Sequence, residues 1–148
     1  MRPGHESLHI QVAEKLRRNG QRYTTLRRDI VGELMASSRP LSVSELLAAK
    51  RGRAQSSLYR NLSVLIAAGV VDRVAGMQED TARYELAEFA LGHHHHLVCM
   101  VCGDIVDVAF PTKLESDLER GLRDVTRRAG YVLDHHRLDV IGRCRRCR

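Results

Sequence analysis

Two C-x-x-C motifs in the second half of the chain constrain its fold more than any other feature of the sequence. They are Cys99-Met-Val-Cys102 and Cys144-Arg-Arg-Cys147, and they contain all four cysteines of the 148 residues. Each motif places two sulfur atoms on one tight turn, and two such turns supply the tetrahedral four-thiolate site typical of structural zinc. A redox dithiol and unrelated buried cysteines are the disfavoured alternatives. Zinc bound here would join the start of a C-terminal domain to the chain end and would leave no open position for catalysis.

The composition is that of a globular protein with an aliphatic core. Hydrophobic residues make up 43% of the chain, aromatic residues only 4%, and tryptophan is absent. No stretch approaches the roughly 18 apolar residues that cross a bilayer. The first residues contain no apolar segment of the kind that a secretory signal requires. We therefore expect a cytoplasmic protein that has no membrane partner.

The positive charge is concentrated in the first half of the chain. Residues 1–74 contain 13 lysines and arginines against 6 acidic residues, whereas residues 75–148 contain 11 against 12. A basic excess confined to one half indicates a polyanionic partner for that half, with nucleic acid the first candidate. A solvated basic surface without a partner is the alternative that charge alone leaves open.

Apolar spacing in the first half predicts four helices followed by a β-hairpin. Thr24 or Thr25 is placed to cap the second helix, and Ser42 with Glu45 forms a capping box at the start of the third. Strand-like runs at 70–75 and 82–87 flank a turn-rich segment. This order is typical of a winged helix that presents its last helix to the DNA major groove, and a small helical bundle is the alternative. The helices are predicted over 9–18, 25–37, 42–50 and 56–68.

A polar segment over 88–96 divides the chain into two parts and is predicted to be a hinge. The domains are then residues 1–87, which bind DNA, and residues 97–148, which bind metal and dimerise. In the second domain we expect strands around the first cysteine motif, an amphipathic helix over 112–129, and one or two strands before the second motif. The fold class is therefore α+β, with an N-terminal winged helix-turn-helix and a C-terminal α/β dimerisation domain.

Four consecutive histidines, His93 to His96, directly precede the first cysteine motif. Alternate side chains of an extended segment point to opposite faces, so His93 and His95 would serve one site and His94 and His96 another. Imidazole binds zinc, iron, nickel and copper alike, so the histidines do not select the metal. A solvated polar linker is the alternative.

Three segments together resemble the ferric uptake regulator (Fur) superfamily of metal-dependent regulators. They are SSLYRNLSVLIAAGVV, HHHHLVCMVCG and HHRLDVIGRCRRC, and the similarity extends from about residue 12 to the chain end. The resemblance implies a homodimeric repressor that binds operator DNA when it holds a regulatory metal. It implies structural zinc on the four cysteines, a regulatory site that includes His94 and His96 with Glu85 or Asp72, and an additional site formed by His93, His95, Glu119 and His136.

The resemblance also bears on the metal and on the DNA contacts. Iron- and peroxide-sensing members carry a histidine where this chain has Arg39-Pro40, and Asp72 favours the zinc uptake regulator branch. We expect a zinc-responsive repressor of metal-uptake genes that binds palindromic operators. The second divalent metal, which would occupy the regulatory site, is then zinc, with iron or another metal as the alternative. A metal-storage or metal-chaperone protein is the alternative from another class, and an enzyme is disfavoured because no partnered nucleophile is evident. The residues matched to DNA contacts are Arg22, Tyr23, Arg27, Ser56, Ser57, Tyr59 and Arg60.

Overall fold

The first half of the chain forms four helices packed on a small sheet. The structure, a computed structural model, describes residues 4–74 and 82–148. Thr24 caps the second helix by accepting a hydrogen bond from the backbone amide of Arg27, and Ser42 and Glu45 form the predicted capping box. Local side-chain chemistry therefore fixes where these helices begin. The helices are α1 (His5–Arg18), α2 (Thr25–Ala36), α3 (Val43–Ala49) and α4 (Gln55–Ala67).

An antiparallel sheet of three strands completes this half. The predicted hairpin strands are β2 (Val71–Val74) and β3 (Arg83–Leu86), which pair so that Asp72 lies opposite Glu85. A two-residue strand, β1 (Leu41–Ser42), adds to the other edge of β3 and was not predicted. The turn expected between the hairpin strands lies outside the described residues.

One aliphatic core holds the winged helix together. Leucine, isoleucine and valine side chains from all four helices are almost fully buried together with Val70, Val71 and Leu86. Burial of each such side chain contributes about 1.5–3 kcal/mol, so this core fixes the orientation of α4 relative to the hairpin. A second, smaller cluster joins Val74 at the end of β2 to Val98 and Ile105 in the C-terminal half.

The segment 88–96, which was predicted to be a hinge, contains regular secondary structure. It contains a short helix, α5 (Glu88–Leu91), and the first two residues of a strand, β4 (His95–Cys99). Four residues are too few to show helical periodicity, so the sequence pattern gave no signal for α5. Gly92 follows α5 with a φ of 78°, a conformation that favours glycine and that turns the chain toward β4.

The C-terminal half is built on a second sheet of three strands. β5 (Ile105–Val108) pairs antiparallel with β4, and β6 (Asp139–Gly142) pairs parallel with β4 on its other edge. The predicted amphipathic helix is α6 (Thr112–Arg128), and a 3-10 turn (Arg145–Cys147) carries the last cysteine. The two cysteine motifs end neighbouring strands, which brings them together. No helix among the described residues is both long and apolar enough to cross a membrane.

Candidate functional site

The four cysteines form one compact group. Their sulfur atoms all lie within 4.8 Å of one another, and Cys102 Sγ is 3.8 Å from Cys144 Sγ. The backbone amide of Cys144 donates a hydrogen bond to Cys99 Sγ over 3.4 Å, which joins the second motif to the first. This donor set and spacing fit a tetrahedral zinc ion.

Backbone dipoles stabilise negative charge on part of this group. Hydrogen bonds from the backbone of Cys102, Cys144 and Val101 lower the pKa of Cys99 to about 6. Hydrogen bonds with the Cys144 and Cys102 side chains raise the pKa of Cys147 to about 12. At neutral pH the metal-free group thus combines thiolate and thiol forms, and full ligation would release the remaining protons.

Glu85, His94, His96 and Asp107 form a second group, called here the Glu85 cluster, with donor atoms within 4.8 Å of one another. The Glu85 carboxylate lies 3.0 Å from His96 Nε2 and 3.4 Å from His94 Nε2. Glu85 belongs to β3 of the winged helix, whereas His96 belongs to β4, with Asp107 opposite it on β5. The cluster therefore joins the two halves of the chain.

The charges in the Glu85 cluster stabilise one another. Burial raises the pKa of Glu85, but hydrogen bonds from His94 and His96 outweigh that effect and lower it to about 2. The hydrogen bond to Glu85 raises the pKa of His94 to about 9. Burial lowers the pKa of His96, but hydrogen bonds to Glu85 and Asp139 leave it above its ordinary value. Two imidazoles and two carboxylates are a donor set suited to a divalent transition metal.

Two residues singled out from the sequence lie apart from this cluster. Asp72 faces the same interdomain cavity, of about 350 Å³, but it is not among the grouped donor atoms. Arg39 is hydrogen-bonded to Glu45 and to the carbonyl of Pro40. Of the two candidate carboxylates on the wing strands, the geometry therefore favours Glu85.

His93, His95, Glu115 and His136 form a third group, called here the Glu115 cluster, also within 4.8 Å. His95 Nε2 lies 2.8 Å and His93 Nε2 3.1 Å from the Glu115 carboxylate. Nε2 of His136 is 3.1 Å from the same carboxylate but lacks the alignment of a hydrogen bond. Three imidazoles converging on one carboxylate have the donor chemistry of a zinc or iron site.

The carboxylate of the Glu115 cluster differs from the one that the resemblance implies. The resemblance placed Glu119 in this site, but the structure places Glu115 there, and Glu119 instead forms an ion pair with Arg123. Glu115 and Glu119 are four residues apart on α6 and share a helix face, so sequence spacing does not separate them. Asp107 was also missed, because only the pairing of β5 with β4 places it opposite His96.

Four of the seven residues matched to DNA contacts lie on α4. Ser56 and Arg60 are exposed and Ser57 is partly exposed, whereas their neighbour Leu58 is buried in the core. Tyr59 is 46% exposed, so much of its side chain is open to solvent. The N-terminus of α4 has no side-chain cap, which leaves its first backbone amides available to a phosphate.

The residues matched to DNA contacts in the α1–α2 loop and the first turn of α2 have mixed surroundings. Arg22 is exposed, but Arg27 Nε donates a hydrogen bond to Asn61 on α4 over 2.9 Å. The Tyr23 hydroxyl lies 2.6 Å from His9 Nδ1. Arg27 thus links the loop that carries Arg22 to the helix that carries Tyr59 and Arg60.

Comparison with known proteins covers nearly the whole chain. The model of the ferric uptake regulator family matches residues 18–141. The peroxide operon regulator of Bacillus subtilis is 28% identical over 141 residues, which cover 93% of this chain and 91% of that protein. The peroxide-responsive repressor PerR of Staphylococcus aureus strain USA300 is 27% identical, over 96% of this chain and 95% of that protein.

A solved structure is similar over the same extent. The Helicobacter pylori ferric uptake regulator Fur, described as having three functional metal-binding sites, superposes with a TM-score of 0.77. The identity is 26%, over 96% of this chain and 92% of that chain. The similarity therefore includes the winged helix, the second sheet and the segment between them.

Proposed function

The chain belongs to the ferric uptake regulator family, whose members regulate transcription and are not enzymes, and we propose that it is a zinc-responsive repressor of metal-uptake genes. The observation that carries this proposal is the Glu85 cluster, in which a wing-strand carboxylate lies 3.0 Å from a histidine of the second sheet. Ligands contributed by both halves would make the orientation of the DNA-binding half depend on metal. We therefore assign sensing to this cluster.

The donor set of the Glu85 cluster favours zinc as the regulatory metal. Four donor groups suit the four-coordinate preference of zinc. The α2–α3 loop contributes Arg39, a permanent cation held by Glu45, and not a fifth ligand. Iron is the alternative, because two histidines and a carboxylate also suit ferrous iron.

Sensing would operate as a population shift between interdomain arrangements. Glu85 moves with the winged helix core, while His96 and Asp107 are fixed by the pairing of β4 with β5. These residues would hold a divalent cation, whose charge would offset the two carboxylates, and binding would then favour the arrangement in which the donors meet. A differential affinity of about 5.5 kcal/mol moves such an equilibrium from 1:99 to 99:1.

The cysteine group has a different proposed role, which is to hold a structural zinc. Cys99 ends β4, and Cys144 follows β6, the strand beside it. Zinc on the four sulfurs would fix the order of these strands and the chain end without an open coordination position. It would stabilise the sheet whose strand β4 contains His96 and directly follows His94.

A second copy of the chain is the proposed partner for the open face of the second sheet. Leu97 on β4 lies opposite Val106 on β5 and Val140 on β6, and all three apolar side chains are at least 41% exposed. α6 has no buried residue, although it carries an apolar stripe. A twofold dimer through these surfaces would present two α4 helices to the half-sites of a palindromic operator.

The DNA contacts in this proposal lie on α4 and on the α1–α2 loop. Tyr59 and Arg60 would reach base edges, while Ser56, Ser57 and Arg22 would contact phosphates. Tyr23 and Arg27, which have protein partners within the domain, would hold Arg22 and α4 in register. Arg60→Ala should relax operator specificity, whereas Arg22→Ala should weaken binding to all DNA sequences similarly.

The proposal is tested by measuring operator affinity as free metal is varied. Protein that retains only the zinc of its cysteine group is titrated with Zn²⁺, and with Mn²⁺ as an air-stable substitute for Fe²⁺, in a gel-shift assay. We expect tight operator binding at far lower free Zn²⁺ than free Mn²⁺. Equal affinity with and without metal contradicts the sensing mechanism, and metal binding without any sequence-specific DNA binding favours a storage or chaperone protein.

A peroxide-responsive regulator is the second candidate function. It is favoured by the Bacillus subtilis and Staphylococcus aureus relatives, whose names describe peroxide regulation. In that case operator binding by the Fe²⁺-loaded protein would be lost after brief treatment with hydrogen peroxide, while the Mn²⁺-loaded protein would be unaffected. Zinc is not redox-active, so a zinc-responsive repressor would show no such difference.

A further inference from the structure

The short helix α5 is fixed to the winged helix domain although it lies beside the metal clusters. Ala90 is buried in the winged helix core, and Phe89 packs against the same core. The ammonium group of Lys15, on α1, lies 4.6 Å from the centre of the Phe89 ring. The amide of Ala87, directly before α5, donates a hydrogen bond to the carbonyl of Val70. Any residue of α5 therefore moves with the DNA-binding half.

Glu88, the first residue of α5, reaches out of this domain to the Glu115 cluster. Its carboxylate Oε1 lies 2.9 Å from Nδ1 of His93. The other ring nitrogen of His93, Nε2, faces Glu115 Oε1 at 3.1 Å. His93 thus connects a carboxylate of the winged helix domain with the carboxylate at the centre of the Glu115 cluster.

We propose that Glu88 is the positioning residue through which the Glu115 cluster is coupled to the DNA-binding domain. The inference rests on the proposed function, because it adds a second link between metal occupancy and DNA binding. The Glu85 cluster contains a wing residue directly, whereas the four donors of the Glu115 cluster all lie between residues 93 and 136. Glu88 makes that second cluster span both halves as well.

The chemistry follows from the two nitrogens of the His93 ring. By accepting the proton on Nδ1, Glu88 leaves Nε2, which faces the Glu115 carboxylate, as the ring nitrogen that would bind a metal. A carboxylate on the outer nitrogen of a ligating histidine fixes the ring orientation and raises its basicity. The same hydrogen bond restrains α5, so filling the cluster and ordering α5 favour each other.

The test compares Glu88→Ala with a matched control. The control is Asp124→Ala, because the Asp124 side chain is 49% exposed and that of Glu88 is 50% exposed. Asp124 forms an ion pair with Arg127 that lies outside both clusters. Full-length protein is titrated with Zn²⁺ against a chromophoric chelator, and the Glu115 cluster is identified as the affinity class lost in His136→Ala. Amide hydrogen exchange of residues 88–91 is followed with and without Zn²⁺, and operator affinity is measured in parallel.

We expect Glu88→Ala to weaken Zn²⁺ binding at the Glu115 cluster about tenfold. Loss of a carboxylate that supports a ligating histidine weakens metal binding by roughly 10–100-fold, and the lower end applies because Glu88 is half-exposed. Zn²⁺ should slow exchange of residues 88–91 in the wild type and not in Glu88→Ala. Glu88→Gln, which keeps an acceptor oxygen, should restore part of both effects, whereas binding at the Glu85 cluster should not change.

The proposal would be overturned if Glu88→Ala and Asp124→Ala had the same zinc affinity and the same amide hydrogen exchange. Wild-type residues 88–91 that exchange equally with and without Zn²⁺ would also overturn it. These readouts do not need DNA, so they decide the role of Glu88 even if the wild type shows no zinc-dependent operator binding. A wild type without zinc-dependent operator binding would contradict the proposed function but not the role of Glu88.

Discussion

Arg53 and Glu33 form a bidentate ion pair inside the winged helix, with two hydrogen bonds of 2.7 Å from the Arg53 guanidinium to the Glu33 carboxylate. The Arg53 side chain is only 2% exposed, and its Nη1 also donates to the carbonyl of Leu46. Glu33 lies on α2, Leu46 lies on α3, and Arg53 lies in the turn before α4. This pair therefore fixes the turn from which α4 starts.

Breaking the Arg53–Glu33 pair should destabilise the winged helix. Glu33→Gln leaves a buried guanidinium without its counter-charge, and we expect a loss of about 3 kcal/mol in the free energy of unfolding. Lys50→Met is the control, because it removes an exposed ion pair with Asp29, and its cost should stay below about 1 kcal/mol. Urea unfolding followed by circular dichroism measures both variants. Equal effects would show that burial of the Arg53 pair has no energetic consequence.

Glu85 and Asp72 should differ sharply as regulatory ligands, although they are paired on adjacent strands. Of these two carboxylates, only Glu85 contacts His94 and His96. Glu85→Gln should therefore weaken regulatory metal binding by more than the roughly 10–100-fold typical of outer-shell partners, while Asp72→Asn should change it by less than about threefold. Chelator competition with Zn²⁺ provides the affinities. A larger loss of zinc affinity in Asp72→Asn than in Glu85→Gln would indicate that the regulatory site lies closer to β2.

Glu45 should make the stability of the winged helix depend on acid pH. Burial raises the pKa of Glu45, but hydrogen bonds from Arg39 and Ser42 outweigh that effect and lower it to about 2. A depressed pKa gives stabilisation that is complete above the unfolded value of 4.5 and is lost as pH falls through 2. Because Glu45 is partly exposed, solvent screening reduces this contribution to about 1–2 kcal/mol.

The variant Glu45→Gln isolates that contribution. It should be less stable than the wild type by this amount at pH 7, and the difference should shrink between pH 4.5 and 2. Glu14→Gln, on the exposed side of α1, serves as the control and should match the wild type throughout. Urea midpoints measured across this pH range test the prediction. A constant difference between Glu45→Gln and the wild type would mean that Glu45 acts through packing and not through its charge.

Features encoded by neighbouring residues were predictable from the sequence. The capping box of Ser42 and Glu45 and the hairpin of β2 with β3 follow from patterns within a few residues, and the fold class is confirmed. The alternation of the four histidines likewise predicted two separate groups of side chains. In each case a short-range rule, the helix cap or the strand repeat of two, determines the outcome.

Several features that depend on contacts between distant segments were not predictable. Asp107 joins the Glu85 cluster only because the register of β4 with β5 places it opposite His96. Glu115 and Glu119 lie on one helix face, so only the docking of α6 beside the histidines separates them. β1 is too short for a recognisable strand pattern and exists because β3 has a free edge there.

The apolar row across the second sheet gives a prediction for the assembly state. Val106, Leu97 and Val140 are neighbours across three strands, and a partner copy that covers them would bury each side chain on both sides of a twofold axis. Val106→Glu places two unpaired carboxylates in that interface, so we expect the dimer dissociation constant to rise at least about 100-fold. Val132→Glu is the control, because Val132 is 90% exposed and lies outside the sheet. Sedimentation velocity at a series of concentrations distinguishes the two variants.

A Val106→Glu protein that remains dimeric at the same concentrations as Val132→Glu would exclude this face as the interface. The partner copy would then have to dock elsewhere, with the stripe of α6 the next surface to test.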